Sequence, residues 1–251
     1  MPKSNSGKPA QRLIPKIVCI NRATVSLDIP FNALVRALQA YVDEHVAPVW
    51  GTPARLVAGK NFVKGAWAMV FLDDANQATG RGTKLADHDL TPEGLPLAKV
   101  FVNTALLNGE FVSAAASHEL VEMLIDPSLN MMTTGPGAGG LGKSRIMYAY
   151  ESADPVEETT FKVRGVPMSN FVYPSWFEVF HKAGSIQFDH MKTIDRPFQL
   201  LSGGYQIIFK AGKWSAVYGS ARKKKSFQLE DRRGHRSEIR KKSKTRRAPR
   251  I

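Results

Sequence analysis

The sequence predicts a single α/β (α+β) domain: a mixed sheet with a backing helix, a second helix rich in ionisable residues, and an irregular, β-rich C-terminal half. Three observations predict it. Hydrophobic residues make up 43% and charged residues 23% of 251, an ordinary balance for a globular chain long enough to bury a sizeable core. Short β-branched runs alternate with two segments of helical period. No internal repeat or linker interrupts the chain before residue 220. The expected boundaries are a disordered N-terminus over 1–15, a domain over 16–220 and a basic, disordered tail over 221–251.

The elements follow in order. KIVCI (16–20) reads as a buried strand. Asp28 or Asn32 can cap a helix that runs to Val46, with Leu34, Leu38, Tyr41, Val42 and His45 on one face, and Pro48 is expected to stop it. ARLVA (54–58) and AWAMVFLDD (66–74) read as strands. The Gly, Pro and Asp content of ATGRGTKLADHDLTPEGLPLA predicts a loop. KVFVN (99–103) is the next strand, followed by a helix over Val112–Ile125 that ends at Asp126-Pro127. GPGAGGLGK (135–143) satisfies the spacing of a phosphate-binding loop, but strand-like RIMYAYE follows it where such a loop needs a helix, so a glycine-rich surface loop is expected.

Charge is unevenly distributed. The formal net charge is +13, yet residues 222–251 hold 14 Lys and Arg against three acids, leaving the body nearly neutral at +2. Arg222, Lys223, Lys224, Lys225, Arg240, Lys241, Lys242, Lys244, Arg246 and Arg247 are therefore candidates to contact phosphate backbones without reading sequence, with acidic proteins, anionic membranes or simple solubilisation as the alternatives. The tail has one aromatic residue, Phe227, too few for base stacking to contribute. The single cysteine, Cys19, excludes an internal disulfide framework. No apolar run reaches membrane-spanning length, and the N-terminus lacks the apolar core of a secretory signal. A cytoplasmic protein is expected, with nucleoid or virion association as variants.

SHELVEMLIDP (117–127) carries the chemistry. On a helix His118, Glu122 and Asp126 share one stripe, and Glu119 lies about 100° away. This is the H-E-x-x-H arrangement of zinc-protease helices with glutamate in place of the second histidine. Residues at i and i+4 hold the metal there, and the intervening glutamate is the general base. Carboxylate oxygen is a competent zinc ligand, so His118 and Glu122 are the candidate metal pair and Glu119 the candidate base. The competing reading is an amphipathic helix with its acids in water.

Several stretches resemble a family of uncharacterised bacterial zincin-like, metallopeptidase-like proteins: ALQAYVDEHVAPVWG (37–51), GLPLAKVFV (94–102), SHELVEMLIDP, YAYESADPVE (148–157), SNFVYPSWFE (169–178) and FQLLSGGY (198–205). The resemblance spans roughly 13–218 and implies a zincin-like fold with an H-E-x-x-E active-site helix. It implies peptide-bond hydrolysis but supplies no substrate. Ala153 stands where relatives have a cysteine.

A further ligand should come from downstream. The metzincin subclass would need a histidine at 128, which is serine; YAYESADPVE offers Glu151, Asp154 and Glu157 instead, with Glu151 preferred, Asp154 next, and a surface acidic turn as the competing reading. Asp126 either orients His118 or ends the helix. His181 and His190 read mainly as structural, and Tyr148, Tyr150 and Tyr173 as core residues able to donate to an oxyanion. The expectation is Zn²⁺ or another divalent metal acting on a peptide or protein substrate. The alternative is a non-enzymatic zincin-fold protein anchored by the basic tail.

Overall fold

The computed structural model describes residues 14–74, 85–136 and 146–220. Strand β1 (Lys16–Asn21) lies between β2 (Arg55–Gly59) and β3 (Trp67–Leu72), parallel to both. β3 also pairs in parallel with β5 (Pro96–Phe101), and β4 (Ala86–Leu90) closes the edge antiparallel to β5. The resulting five-stranded sheet has the order β2-β1-β3-β5-β4. Successive side chains of a strand point to opposite faces. Ile17, Cys19, Met69 and Phe71 accordingly enter the main core, while Val18, Ile20, Ala68 and Val70 form a smaller cluster on the other face. Burial pushes the Cys19 thiol up to about 12, which leaves it an unreactive core residue.

The first helix differs from expectation at both ends. α1 (Phe31–Tyr41) begins after Pro30 with no side-chain cap, so neither Asp28 nor Asn32 serves. Pro48 does not stop it either. The chain passes through one π turn (Val42–Val46) into α2 (Ala47–Trp50), which contains Pro48 and ends at Gly51 with φ +66°. In an α-helical register Pro48 would leave the Glu44 carbonyl without a donor and clash with it, and a widened turn avoids both. His45, on that turn, is only partly buried.

Of the segment expected to be a loop, residues 78–84 lie outside the described residues, and 85–98 belong to a hairpin. The hairpin is made of β4, a turn over Thr91–Leu95 and the start of β5, with Gly94 at φ +82° supplying the left-handed position. Asp87, His88 and Asp89 are poor strand formers by composition, and pairing along β5 overrides that preference. α3 (Val102–Leu107) takes the last two residues assigned to a strand at 99–103.

α4 (Val112–Ile125) has the predicted bounds, but it is not amphipathic. It packs on β5, β4 and α1, and on β9 (Val166–Ser169) of a hairpin with β8 (Thr160–Val163). Only Ala115 of its 14 residues escapes burial. Ser117 Oγ accepts the Ser169 amide at 2.7 Å, which fastens helix to hairpin.

Beyond α4, β6 (Met132–Gly135), β7 (Ile146–Ala149), β10 (Tyr205–Lys210) and β11 (Lys213–Tyr218) form an antiparallel sheet of order β11-β10-β7-β6. β6 and β7 pair through Gly135 and Ile146, so the glycine-rich segment joins two antiparallel strands and not a strand to a helix. Residues 137–145 themselves, the N-terminal 1–13 and the tail with its proposed nucleic-acid-binding lysines and arginines lie outside the described residues. No helix among the described residues is long and apolar enough to cross a membrane.

Candidate metal centre

α4 brings His118 and Glu122 one turn apart, both inside the protein. The chain leaving β7 crosses the same face of the helix and turns into a 3₁₀ segment at Asp154–Val156. Two backbone amides of this crossing, from Ala153 and Asp154, donate to Glu122 Oε1 at 3.1 and 3.3 Å. Glu122 is thereby fixed, and its other oxygen faces the histidines. Oε2 lies 3.5 Å from His118 Nε2 and 3.7 Å from His88 Nδ1.

Two groups with metal-ligand chemistry result, His118–Glu122–Asp154 and His88–Glu122–Glu151. Within each, one potential ligand atom per residue lies within 4.8 Å of the others, and all five residues are buried. Asp154 Oδ1 is 3.2 Å from His118 Nε2, and Glu151 Oε2 is 3.6 Å from His88 Nε2. The structure thus brings both downstream acids to Glu122 but places Asp154, not Glu151, beside His118. His88 also bonds Glu119, Nδ1 to Oε2 at 2.8 Å. The two oxygens of Asp126 accept the Asn130 and Met131 amides at 2.9 and 3.0 Å, closing the turn at the end of the helix.

The cluster has the residue types and spacing of a group that could hold a metal ion. Glu119, Glu122, Glu151 and Asp154 are each at most 7% exposed. Burial holds the Glu122 carboxyl well above the ordinary range; the neighbouring Asp154, Glu151 and Glu119 carboxylates push the same way, and the Ala153 amide opposes them weakly. For His118, burial works to lower the pKa, but the Asp154 bond and the Glu119, Asp154 and Glu157 charges outweigh it and raise it. Gathering carboxylates away from water opposes their charged forms, and His nitrogen with carboxylate oxygen is a donor set suited to a divalent ion. The residues present therefore fit a divalent metal.

His118 and Glu119 are not sealed off. They border a cleft of about 230 Å³ whose walls include Leu85 and Ala86 at the sheet edge, Asn108, Glu110 and Ala114 beside the helix, and Glu157–Thr160 opposite.

The other candidates lie in different surroundings. Tyr148 donates to the Pro136 carbonyl at 2.8 Å, and Tyr150 stacks on Phe177 with ring centroids 4.1 Å apart. His181 pairs with Glu178 at 2.6 Å. His190 sits among Phe161, Phe171 and Tyr173, bonded to His45 at 2.9 Å and Tyr173 at 3.1 Å. Burial, and secondarily the His45 charge, bring His190 down to about 4 against the pull of Asp189. Its neutral form belongs to the fold, so its contribution to stability is complete above about pH 6.5 and is lost as pH falls towards 4. The thermal midpoint is expected to drop over that window more steeply in the wild type than in His190→Gln. Superimposable pH profiles of the two would contradict the assignment.

His88 is the residue that sequence reasoning missed. No family model, curated protein or solved structure matches the chain.

Proposed function

We propose that this chain is a metal-dependent, zincin-like hydrolase of peptide bonds, using Zn²⁺ or another first-row divalent ion. The observation that carries the reading is the buried His118–Glu122–Asp154 group, whose His118 borders a cleft together with Glu119. A divalent ion held there supplies a Lewis acid for the scissile carbonyl and lowers the pKa of water.

The chain's own residues do the rest. Glu119 takes the proton of the attacking water and returns it to the leaving amine. The His88 bond at 2.8 Å holds the Glu119 carboxylate in one orientation. Glu122, anchored by the Ala153 and Asp154 amides, keeps one oxygen towards His118. A peptide is favoured as substrate because β4 is the edge strand of its sheet and Leu85 and Ala86 line the cleft. An edge strand offers a row of backbone groups with which an extended chain can pair.

The test is hydrolysis of a broad peptide library by metal-loaded protein. Cleavage is expected, lost on chelation and restored by adding back the divalent ion. Metal-replete protein that cleaves no peptide would overturn the hydrolase reading in favour of a non-enzymatic one.

A further inference from the structure

The two candidate ligand groups meet in a single side chain. We propose that the centre holds two divalent ions, one on His118 and Asp154 and the other on His88 and Glu151, bridged by Glu122. This deepens the metal-dependent reading above and rests on it.

Geometry carries the inference. Glu122 Oε1 accepts from two backbone amides, which leaves Oε2 between the two histidines, 3.5 Å from His118 Nε2 and 3.7 Å from His88 Nδ1, and one ligand atom each of His88, Glu122 and Glu151 lies within 4.8 Å of the others. Each histidine then has a carboxylate of its own from the crossing segment, Asp154 at 3.2 Å and Glu151 at 3.6 Å. A single ion on His118 and Asp154 would not draw on the second group, His88, Glu122 and Glu151, whose ligand atoms also lie within 4.8 Å of one another. Paired hydrolytic metals stand about 3.5–4 Å apart, a separation that one shared carboxylate spans.

His88 is set up as a ligand. When its Nδ1 proton is donated to Glu119, the lone pair of Nε2 is on the side of Glu151. Carboxylate–histidine–metal chains of this form fix the tautomer and raise the basicity of the ligating nitrogen. Glu119 then serves both the water and the second ligand histidine.

The experiment measures metal content and magnetic coupling in the full-length chain. Protein equilibrated with buffered Zn²⁺ is desalted and assayed by elemental analysis, and a Mn²⁺-loaded sample is examined by electron paramagnetic resonance. About two ions per chain and an exchange-coupled Mn²⁺ pair are expected. His88→Ala should retain one ion and lose the coupling, and His118→Ala should do the same. His88→Gln, closer in shape, repeats the test if the alanine variant does not fold. One ion per chain in the wild type, unaffected by His88→Ala, overturns the two-ion centre and leaves the metal-dependent reading intact. Two uncoupled ions also overturn it. Absence of bound metal overturns both.

Discussion

Glu119→Gln is expected to lower peptide hydrolysis by roughly 10²–10⁴-fold, the usual contribution of a positioned general base. Glutamine preserves the length and planarity of the side chain, and its amide oxygen can still accept from His88 Nδ1, which bonds Glu119 at 2.8 Å. It cannot accept a proton from water. His118, Glu122 and Asp154 are untouched, so their ion should remain and KM should change far less than kcat. Equal turnover of variant and wild type would remove Glu119 from the chemistry. Loss of metal together with activity would instead make it a ligand.

Glu122→Gln should show the opposite pattern: metal binding is lost first, and hydrolysis falls to background only as a consequence. Both ligand groups contain Glu122, so no other single substitution reaches as much of the site. The fold should survive. Burial and three neighbouring carboxylates already push the Glu122 carboxyl up, against its charged form, so a neutral glutamine removes charge repulsion from the buried cluster. The Ala153 and Asp154 amides can still donate to the glutamine oxygen, as they do to Oε1. The midpoint of metal-free protein should therefore be equal to or above that of wild type. The rise on adding metal should disappear, whereas in wild type free metal at 100 times Kd stabilises by about 2.7 kcal/mol. A wild-type-sized thermal shift in the variant would show that the ion binds elsewhere.

The helix that carries this site was readable because Val112–Ile125 is apolar at helical spacing and Pro127 forces its end. That its charged residues face inward was not. An H-E-x-x-E helix on a surface and one wrapped on all sides have the same spacing, and only the hairpin of β8 and β9 and strand β4 packed against it decide between them. His88 was hidden by composition, since Asp-His-Asp within a glycine- and proline-rich stretch reads as loop. The recoverable signal was the Thr-Pro-Glu-Gly turn before the apolar LPLAKV run, which marks a hairpin and implies a strand before it. Glu151 and Asp154 are candidates by residue type within a segment that the family resemblance singles out. Their division between two histidines depends on how the segment after β7 crosses α4, a long-range packing outcome that local pattern does not encode. Pro48 misled for a similar reason: it forbids an ordinary α-helical turn, and the chain answered with a π turn and continued.

Anomalous diffraction from crystals of zinc-loaded wild-type protein, recorded on both sides of the zinc absorption edge, tests the central claim most directly. The account predicts an anomalous peak about 2.0–2.2 Å from His118 Nε2 and from carboxylate oxygens of Glu122 and Asp154. A fully occupied zinc that touches neither His118 nor Glu122, or a crystal of zinc-saturated protein with no peak in this cluster, would contradict it.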